Sequence, residues 1–536
     1  MVLVRGILHA VAVASLAALG ACAPFSPTDF EPGAVRVSSS RMAPLVHSET
    51  APIEHNYMIV MKPGVSAGSF LVHRDRIGEA QVMTNAIRTR EYNTADFSGI
   101  KHVFDDAVIQ GYAGTFSADV LAYIRDQPEV AYVEQDSQVQ ITMVPQSDKH
   151  VRDQPVSAQR FPWENPFEHV TENGAPWGLA RLSHRQPLGL GTFNKYVYES
   201  LGGEGVTAYV IDTGINVRHS QFGGRARWGK TIPAGDTDTD EHGHGTHCAG
   251  TIGAEKYGVA KKAELVAVKV LRSDGSGAMS DVVAGVLWAV ADAQNLTRVM
   301  LASPHSQAAK KHRGFVANMS LGGMKSPTLD MAVNGAVEAG MHFGVAAGNE
   351  NQDACNVSPA GAKRPITVGA STIADKRAYF SNVGPCVDVF APGLNILSTW
   401  NAGPNSINTI SGTSMASPHI VGLMAYLLSI YGSDDFGVIK DAPPTPLAQV
   451  QQRAWTQTVL GAVQLFVPSL LQPFLRVHLA RFSRVESVTT IDSALVPAVM
   501  KTALSQLATK GLLEDVDNGT TNKLAYNNAT TPINSL

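Results

Sequence analysis

Val206-Thr207-Ala208-Tyr209-Val210-Ile211-Asp212-Thr213-Gly214 is a near-continuous apolar run that stops at a carboxylate and a glycine. A strand with one wet face alternates apolar and polar residues. A run apolar at almost every position reads instead as a strand buried on both faces, the habit of parallel sheets covered by helices. Residues 265–271 are another near-continuous run, broken by Lys269, and 315–319, 342–347 and 366–368 read as further strands. Helical periods lie between them. Ser280 reads as a cap leading into Val282, Val283, Val286 and Ala289, and Ser326-Pro327 opens a helix through Ala332, Val333, Ala336 and Val337 to Gly340. This alternation predicts an α/β domain, a parallel sheet between two helical layers. Ligand crevices in such sheets open at the carboxyl ends of strands, where Asp212 stands.

The 536 residues exceed what one folded unit needs, and the net charge of −4 carries no basic block or acidic tail that would point to nucleic acid. Four cysteines, one of them Cys22 near the N-terminus, exclude a disulfide-built scaffold. Residues 1–23 read as a signal peptide: Arg5, an apolar run from Ile7 to Leu19 too short to span a membrane, then the small residues Ala21-Cys22-Ala23. Residues 24–53, rich in Ser and Pro, read as linker. At His55 the pattern changes. A strand over 57–61 stops at Lys62-Pro63-Gly64, Gly114-Thr115-Phe116 leads into a helix over 118–125, and a strand over 130–133 is followed by Glu134-Gln135-Asp136. A small α+β unit over about 55–141 fits this pattern. The Pro-rich stretch 144–170 is a boundary open to proteolysis. Residues 441–490, from Pro443-Pro444-Thr445-Pro446 through a charge-free run broken by Pro468 and Pro473, read either as a surface insertion or as sequence foreign to the mature fold. A regular amphipathic helix resumes at 498–507.

Two more segments join Asp212 as candidates for chemistry: His242-Gly243-His244-Gly245-Thr246-His247-Cys248 and Gly412-Thr413-Ser414-Met415-Ala416-Ser417-Pro418-His419. A serine hydroxyl is a weak nucleophile that needs a base and a group to orient that base. Ser414 at a helix start, a histidine and Asp212 supply those types, although spacing alone does not choose among His242, His244 and His247. His244 with His247 would suit zinc, but neither an HExxH pattern nor a further ligand cluster accompanies them. A tetrahedral intermediate needs oriented donors. Asn349, ending Ala346-Ala347-Gly348-Asn349, offers one, and the Ser414 N–H at its helix N-terminus another. Gly275, Ser276 and Gly277, with Ser320, Leu321 and Gly322, are candidate edges for pairing with an extended substrate, and Ala347 and Gly348 line its first pocket. An esterase would show a GxSxG elbow and the order Ser, Asp, His, and neither is present.

These residues resemble the subtilase family, in its proteinase K branch, and within that branch the cerevisin type, vacuolar endopeptidases of fungi. The likeness starts at Ala175-Pro176-Trp177-Gly178-Leu179 and runs to about residue 428. It takes in Phe193-Asn194-Lys195-Tyr196, Trp228-Gly229-Lys230-Thr231-Ile232-Pro233, Asn349-Glu350-Asn351-Gln352-Asp353-Ala354-Cys355 and Ala391-Pro392-Gly393, and it resumes at 501–515. It implies a three-layer subtilisin-like catalytic domain preceded by a ferredoxin-like inhibitory propeptide, whose strands match at His55-Asn56-Tyr57 and Gly111-Tyr112-Ala113-Gly114. It further implies a serine endopeptidase with Asp212, His244 and Ser414 as triad and Asn349 in the oxyanion hole, cutting after apolar or aromatic residues. The enzyme would be a self-processing zymogen with propeptide 24–167 and peptidase domain 168–536, matured near Glu168 and inhibited by its own propeptide. Cys248 would be a free thiol beside the histidine, and Cys355 and Cys386 a bridge. Thr372 stands where relatives carry a calcium-binding Asp, so no metal is expected there. No cofactor is expected, though structural calcium elsewhere is compatible. Asn295, Asn356, Asn518 and Asn528 sit in glycosylation sequons, and Asn318, in a substrate strand, should stay bare. A monomer acting on proteins and peptides, not nucleic acid, is expected in the secretory pathway, with the vacuole lumen favoured over the extracellular space. The alternative, an inactive homologue serving as a binding protein, would lack a triad member, and none is missing.

Overall fold

The computed structural model describes residues 42–48, 51–92, 97–105, 108–141, 151–152, 169–430 and 495–529. The signal peptide, the 441–490 segment and the Glu168 processing point lie outside them.

The N-terminal unit holds strands β1 (Leu45–Val46), β2 (Pro52–Met61), β3 (Gly99–Asp105), β4 (Gln110–Thr115) and β5 (Val130–Gln140), with helices α1 (Ala67–Tyr92) and α2 (Ala118–Asp126). Its sheet order is β1-β5-β2-β4-β3. Strand alternation divides its faces. Ile59, Met61, Tyr112 and Val133 pack on the helices, while Met58, Ala113, Phe104 and Val139 join a core belonging to the C-terminal domain. The unit begins earlier than His55, because β1 lies inside the stretch read as linker and pairs with Val133 and Glu134. Helix α1 escaped the sequence reading because its buried stripe (Phe70, His73, Ile77, Ala80, Gln81, Thr84) mixes polar with apolar side chains. The packing supplies partners for His73: Nδ1 meets Glu129 at 2.8 Å and Nε2 meets Tyr112 at 2.9 Å.

Strand β6 (Val151–Arg152) and the hairpin β7 (His169–Asn173) and β8 (Lys195–Glu199) lead into the catalytic domain. Its main strands are β9 (Val206–Asp212), β10 (Ala226–Thr231), β11 (Glu264–Lys269), β12 (Ser276–Ala278), β13 (Gly314–Met319), β14 (Gly323–Met324), β15 (His342–Ala346), β16 (Val357–Ser358), β17 (Ile366–Ser371), β18 (Val389–Pro392), β19 (Ile396–Thr399), β20 (Ser406–Ile410), β21 (Thr509–Lys510) and β22 (Lys523–Leu524). The principal sheet runs β10-β11-β9-β13-β15-β17-β18-β22-β21, parallel except at β21. Its main helices are α3 (His244–Gly253), α4 (Met279–Ala302), α5 (Pro327–Glu338), α6 (Thr413–Ile430) and α7 (Pro497–Leu507). Val206, Ala208 and Val210 of β9 face a core with α3, α6 and α7, whereas Tyr209 and Ile211 face one with α4 and α5. The three-layer expectation is met. Helix α6 is long and apolar enough to cross a membrane, but nearly all of it is buried in this core.

Strands laid down after β9 go to one side of it (β11, β10) and later ones to the other (β13, β15). The chain thus reverses direction across the sheet beside β9 and β13, and a crevice opens at their carboxyl ends. Asp212 ends one strand and Ser320 follows the other.

The reading of Ser280 as the α4 cap is corrected. The helix starts at Met279 after Ala278, which gives no side-chain bond. Ser280 lies in its first turn and donates from N (3.0 Å) and Oγ (2.5 Å) to Asp136 of the N-terminal unit. The cap thus comes from another domain, which helical periodicity cannot reveal.

Candidate active site

The Asp212 carboxylate takes the Thr213 N–H at 2.8 Å and meets His244 Nδ1 at 2.8 and 3.0 Å, with both side chains fully buried. His244 is the first residue of α3, whose cap position, Gly243, has no side chain to offer. Asp240 takes over that role. It accepts from Gly243 N (2.8 Å), Thr246 N (2.9 Å) and Thr246 Oγ1 (2.5 Å), and so fixes the turn that aims the imidazole. Glycine is required at 243, where φ is +101° and a Cβ would lie 2.6 Å from the Trp400 ring.

The electrostatics choose among the histidines where spacing did not. Burial opposes charge on His244, but Asp212 beside it outweighs this and raises its pKa well above the ordinary value. Burial pushes His247 down to about 3 and His419 down to about 4, and His242 is lowered by burial and by His244. A general base works when neutral. Activity should therefore fall as pH drops through a value above 6.5, the ordinary histidine figure. A pH profile of kcat/KM on the mature enzyme checks this; an acid limb at or below the ordinary value would contradict it.

Ser414 is the second residue of α6, and Pro418 follows four residues later. Proline has no N–H to return to the carbonyl four residues back. The Ser414 carbonyl instead takes Ser320 Oγ (2.8 Å) and the Cys248 thiol (3.4 Å). Ser414 Oγ donates to the Ser320 carbonyl at 3.0 Å, and His244 Nε2 is buried without a hydrogen-bond partner. Nucleophile and base are therefore not joined in this propeptide-bound form, and a side-chain rotation of Ser414 is needed, as is common before a substrate is seated.

Asn349 accepts Thr413 N (2.8 Å) and Oγ1 (2.9 Å) on its Oδ1, which turns its amide nitrogen the other way. That nitrogen and Ser414 N both lie 3.5 Å from where a Cβ on Gly412 would stand, so two donors flank the open side of Gly412. A cleft of about 190 Å³ has Asn349 and Ser414 in its wall, together with Ser320, Leu321, Gly322, Ala346 and Gly348. Ala347 does not line it. Strand alternation turns this residue into a separate core with Phe390 and Leu524, and its carbonyl takes Asn382 Nδ2 at 2.8 Å. Along the edge at 275–277, β12 already carries a partner. Gln138, Val139 and Gln140 of β5 pair antiparallel with it, and Ile141 N donates to Gly275 O at 3.0 Å.

Cys248 is a buried free thiol 3.9 Å from His244 Nδ1, and burial raises its pKa. Asp212, His244 and Cys248 are the group of potential metal ligands found among the described residues. The first two satisfy each other and the thiol stays protonated, so the set suits a hydrogen-bonded dyad better than an ion. Thr372 Oγ1 accepts Lys376 N in a tight turn. Cys355 and Cys386 are joined, with Cα atoms 5.3 Å apart. Of the sequons, Asn295, Asn356 and Asn518 are exposed and Asn528 is half-buried. Asn318 is fully buried, held by Ser417 and Ser320. The sequence reading missed Asp240, Glu134 and Asp136. The last two alternate in the middle of β5, which runs on past the 130–133 read from the sequence, and this places both on one face.

A buried Asp–His pair and a helix-borne serine at the switch point of a parallel sheet, with its entrance strand occupied by an inhibitor-like unit, define a serine peptidase in precursor form. The Subtilase family profile matches residues 203–456 and the Peptidase inhibitor I9 profile residues 56–142. "Subtilisin-like protease 8" of Trichophyton verrucosum is 49% identical over 80% of this chain and 83% of its own length. "Alkaline protease 2" of Aspergillus fumigatus is 50% identical over 80% and 83%. A solved cold-adapted subtilisin-like serine proteinase is 38% identical over 66% of this chain and 99% of its own, with a TM-score of 0.48. The chain belongs to the subtilase family and is a serine endopeptidase synthesised with an inhibitory propeptide.

Proposed function

We propose that the mature enzyme cuts proteins by acyl transfer, with Ser414 attacking the scissile carbonyl. His244 takes the Ser414 proton on Nε2 and gives it to the leaving amine, and Asp212 holds the imidazole in the tautomer this requires. Water then attacks the acyl-enzyme by the same route. The Asn349 amide and the Ser414 N–H receive the oxyanion. The observation that carries this reading is the course of Val139 to Ile141. They lie as an added strand on β12 with Gln140 at the cleft that holds Ser414, as an extended substrate would.

Leu321, Ala346 and the glycines at 322 and 323 make the first pocket small-walled and apolar, which supports cleavage after apolar or aromatic residues. The propeptide serves as intramolecular inhibitor. Because Ile141 is already seated, the first self-cleavage falls shortly beyond it, and trimming near Glu168 is a second event. The protein travels the secretory pathway as a glycosylated monomer. The vacuole lumen is the destination we favour, and the likeness to cerevisin-type enzymes supports it. No metal is assigned to the reaction; structural calcium away from Thr372 is compatible with this reading.

Asn349→Leu tests the chemistry. It should lower kcat by about 10²–10³-fold, the usual cost of one oxyanion donor. KM should stay within about two-fold, because the donor acts mainly on the transition state. Peptide anilides give the constants, and mapped cuts in a denatured protein give the specificity. A KM effect with unchanged kcat would sink the assignment.

A further inference from the structure

We propose that Lys269 is a positioning residue for the Asp212–His244 pair, its ammonium fixing the Thr213 carbonyl and offsetting the Asp212 charge. This rests on the acyl-transfer reading above. Lys269 ends β11 as the register partner of Asp212, so the two side chains leave the sheet on the same face. Both are fully buried. The ammonium donates to Thr213 O at 3.0 Å and stands 3.7 Å from Asp236 Oδ2.

Thr213 is the hub of the dyad. Its N–H binds Asp212 Oδ1 at 2.8 Å, and its Oγ1 accepts Gly245 N at 3.0 Å and donates to Asp240 Oδ1 at 2.9 Å. One residue thus touches the catalytic carboxylate, the residue after the catalytic histidine and the α3 cap. Lys269 holds it from behind.

Stability alone does not account for this lysine. A buried cation is costly, and a partner 3.7 Å away offsets little of that cost. An apolar side chain would fill the volume without that cost. What only a cation supplies is field. Asp212 alone pulls His244 toward the protonated form, and a positive charge held at the next residue's carbonyl, in register with Asp212, restrains that pull and keeps the base neutral over a wider pH range. Other charged and titratable groups face this pair. Among the described residues they are Asp236, Asp240 and His242 from the loop before α3 and Cys248 and His247 from α3, with Asp274 from the loop before β12 acting on His242. None of them is a cation of fixed charge.

The test uses the mature enzyme and the acid limb of kcat/KM. Lys269→Met removes the positive charge, so His244 stays protonated to higher pH and the limb should move up by about half a unit to one unit. At the plateau, kcat should fall by about ten-fold with KM within about two-fold, because geometry at the dyad loosens while the cleft is intact. Asp236→Asn leaves the ammonium uncompensated, and the limb should move down by a similar amount. Opposite displacements are the signature of a charge effect, since a lost structural contact loosens the Asp212–His244 bond and moves the limb down in both variants. If Lys269→Met fails to mature, Lys269→Gln, neutral but still able to donate to the Thr213 carbonyl, takes its place, because Asp236→Asn lowers the limb by its own charge whatever Lys269 does. An unmoved limb in either active variant, or displacement of both in one direction, overturns the proposal. An active enzyme with unmoved limbs refutes only the role of Lys269, whereas activity that survives loss of Ser414 would refute the underlying reading.

Discussion

Ser414→Ala lowers peptide hydrolysis by on the order of 10⁶-fold, the size that nucleophile deletions have in enzymes of this type, and leaves the purified precursor uncut. Among the described residues, no neighbouring serine or cysteine is free to take over. Ser417 Oγ is committed to Asn318 Oδ1 (2.9 Å) and Ser320 Oγ to the Ser414 carbonyl (2.8 Å). The Cys248 thiol points at that same carbonyl, and burial keeps it protonated. Residual turnover comes only from water held against the oxyanion donors. Mass spectrometry of both precursors over time gives the answer. The unaltered chain should release an N-terminal fragment ending a little beyond Ile141, because that residue is already bonded to Gly275 O. Self-shortening of the Ala variant at the unaltered rate would remove Ser414 from the mechanism.

The catalytic domain was largely legible because its signals are local. Residues 206–211 are apolar except at Thr207 since both faces of β9 are covered, and Asp212 falls at the strand end because the sheet opens there. Ser326-Pro327 marked a real helix start: Ser326 Oγ accepts Leu329 N at 3.2 Å. The errors share a cause. Ser280, Ala347 and α1 were misread or missed because sequence periodicity reports whether a position is buried, not what buries it. Ser280 is in the right helix with its partner in another domain. Ala347 is one residue past the pocket-facing Ala346, and the pleat reverses its direction. Helix α1 buries His73, Gln81 and Thr84 among its apolar residues, so its period is broken in the sequence, and only the fold brings Glu129 and Tyr112 against His73. Spacing could not choose the acting histidine for the same reason, since His242, His244 and His247 differ only in what stands beside them; the family resemblance named His244, and the Asp212 carboxylate at 2.8 Å shows why.

The interface of propeptide and enzyme gives the second large effect. Glu134 accepts Ser326 Oγ (2.5 Å), Thr328 N (2.9 Å) and Thr328 Oγ1 (2.5 Å) at the start of α5. Asp136 accepts Ser280 N and Oγ at the start of α4. Two strand carboxylates thus complete the N-termini of two enzyme helices, where unpaired amides and the helix dipole favour a negative group. Burial pushes both carboxyls above the ordinary range, and the hydroxyl and amide donors bring them only part of the way back. Lys101 and His102 add a contact of the opposite sign, reaching Asp281 of α4 at 2.6 and 2.5 Å. Hydrogen bonds to a charged group contribute about 1.5–3 kcal/mol each, less whatever water restores to the freed donors. Glu134→Ala with Asp136→Ala should therefore weaken inhibition of the mature enzyme by the 42–141 fragment by on the order of 10²–10³-fold, given that every 1.4 kcal/mol is tenfold. The apolar contacts of Met58, Phe104 and Val139 remain, so binding weakens but is not abolished. Glu134→Gln with Asp136→Asn keeps an acceptor oxygen at each site and should fall between. An inhibition constant for the double Ala fragment within about three-fold of the unaltered one would mean that apolar burial alone holds the propeptide, and that the two carboxylates merely sit where the helices happen to begin.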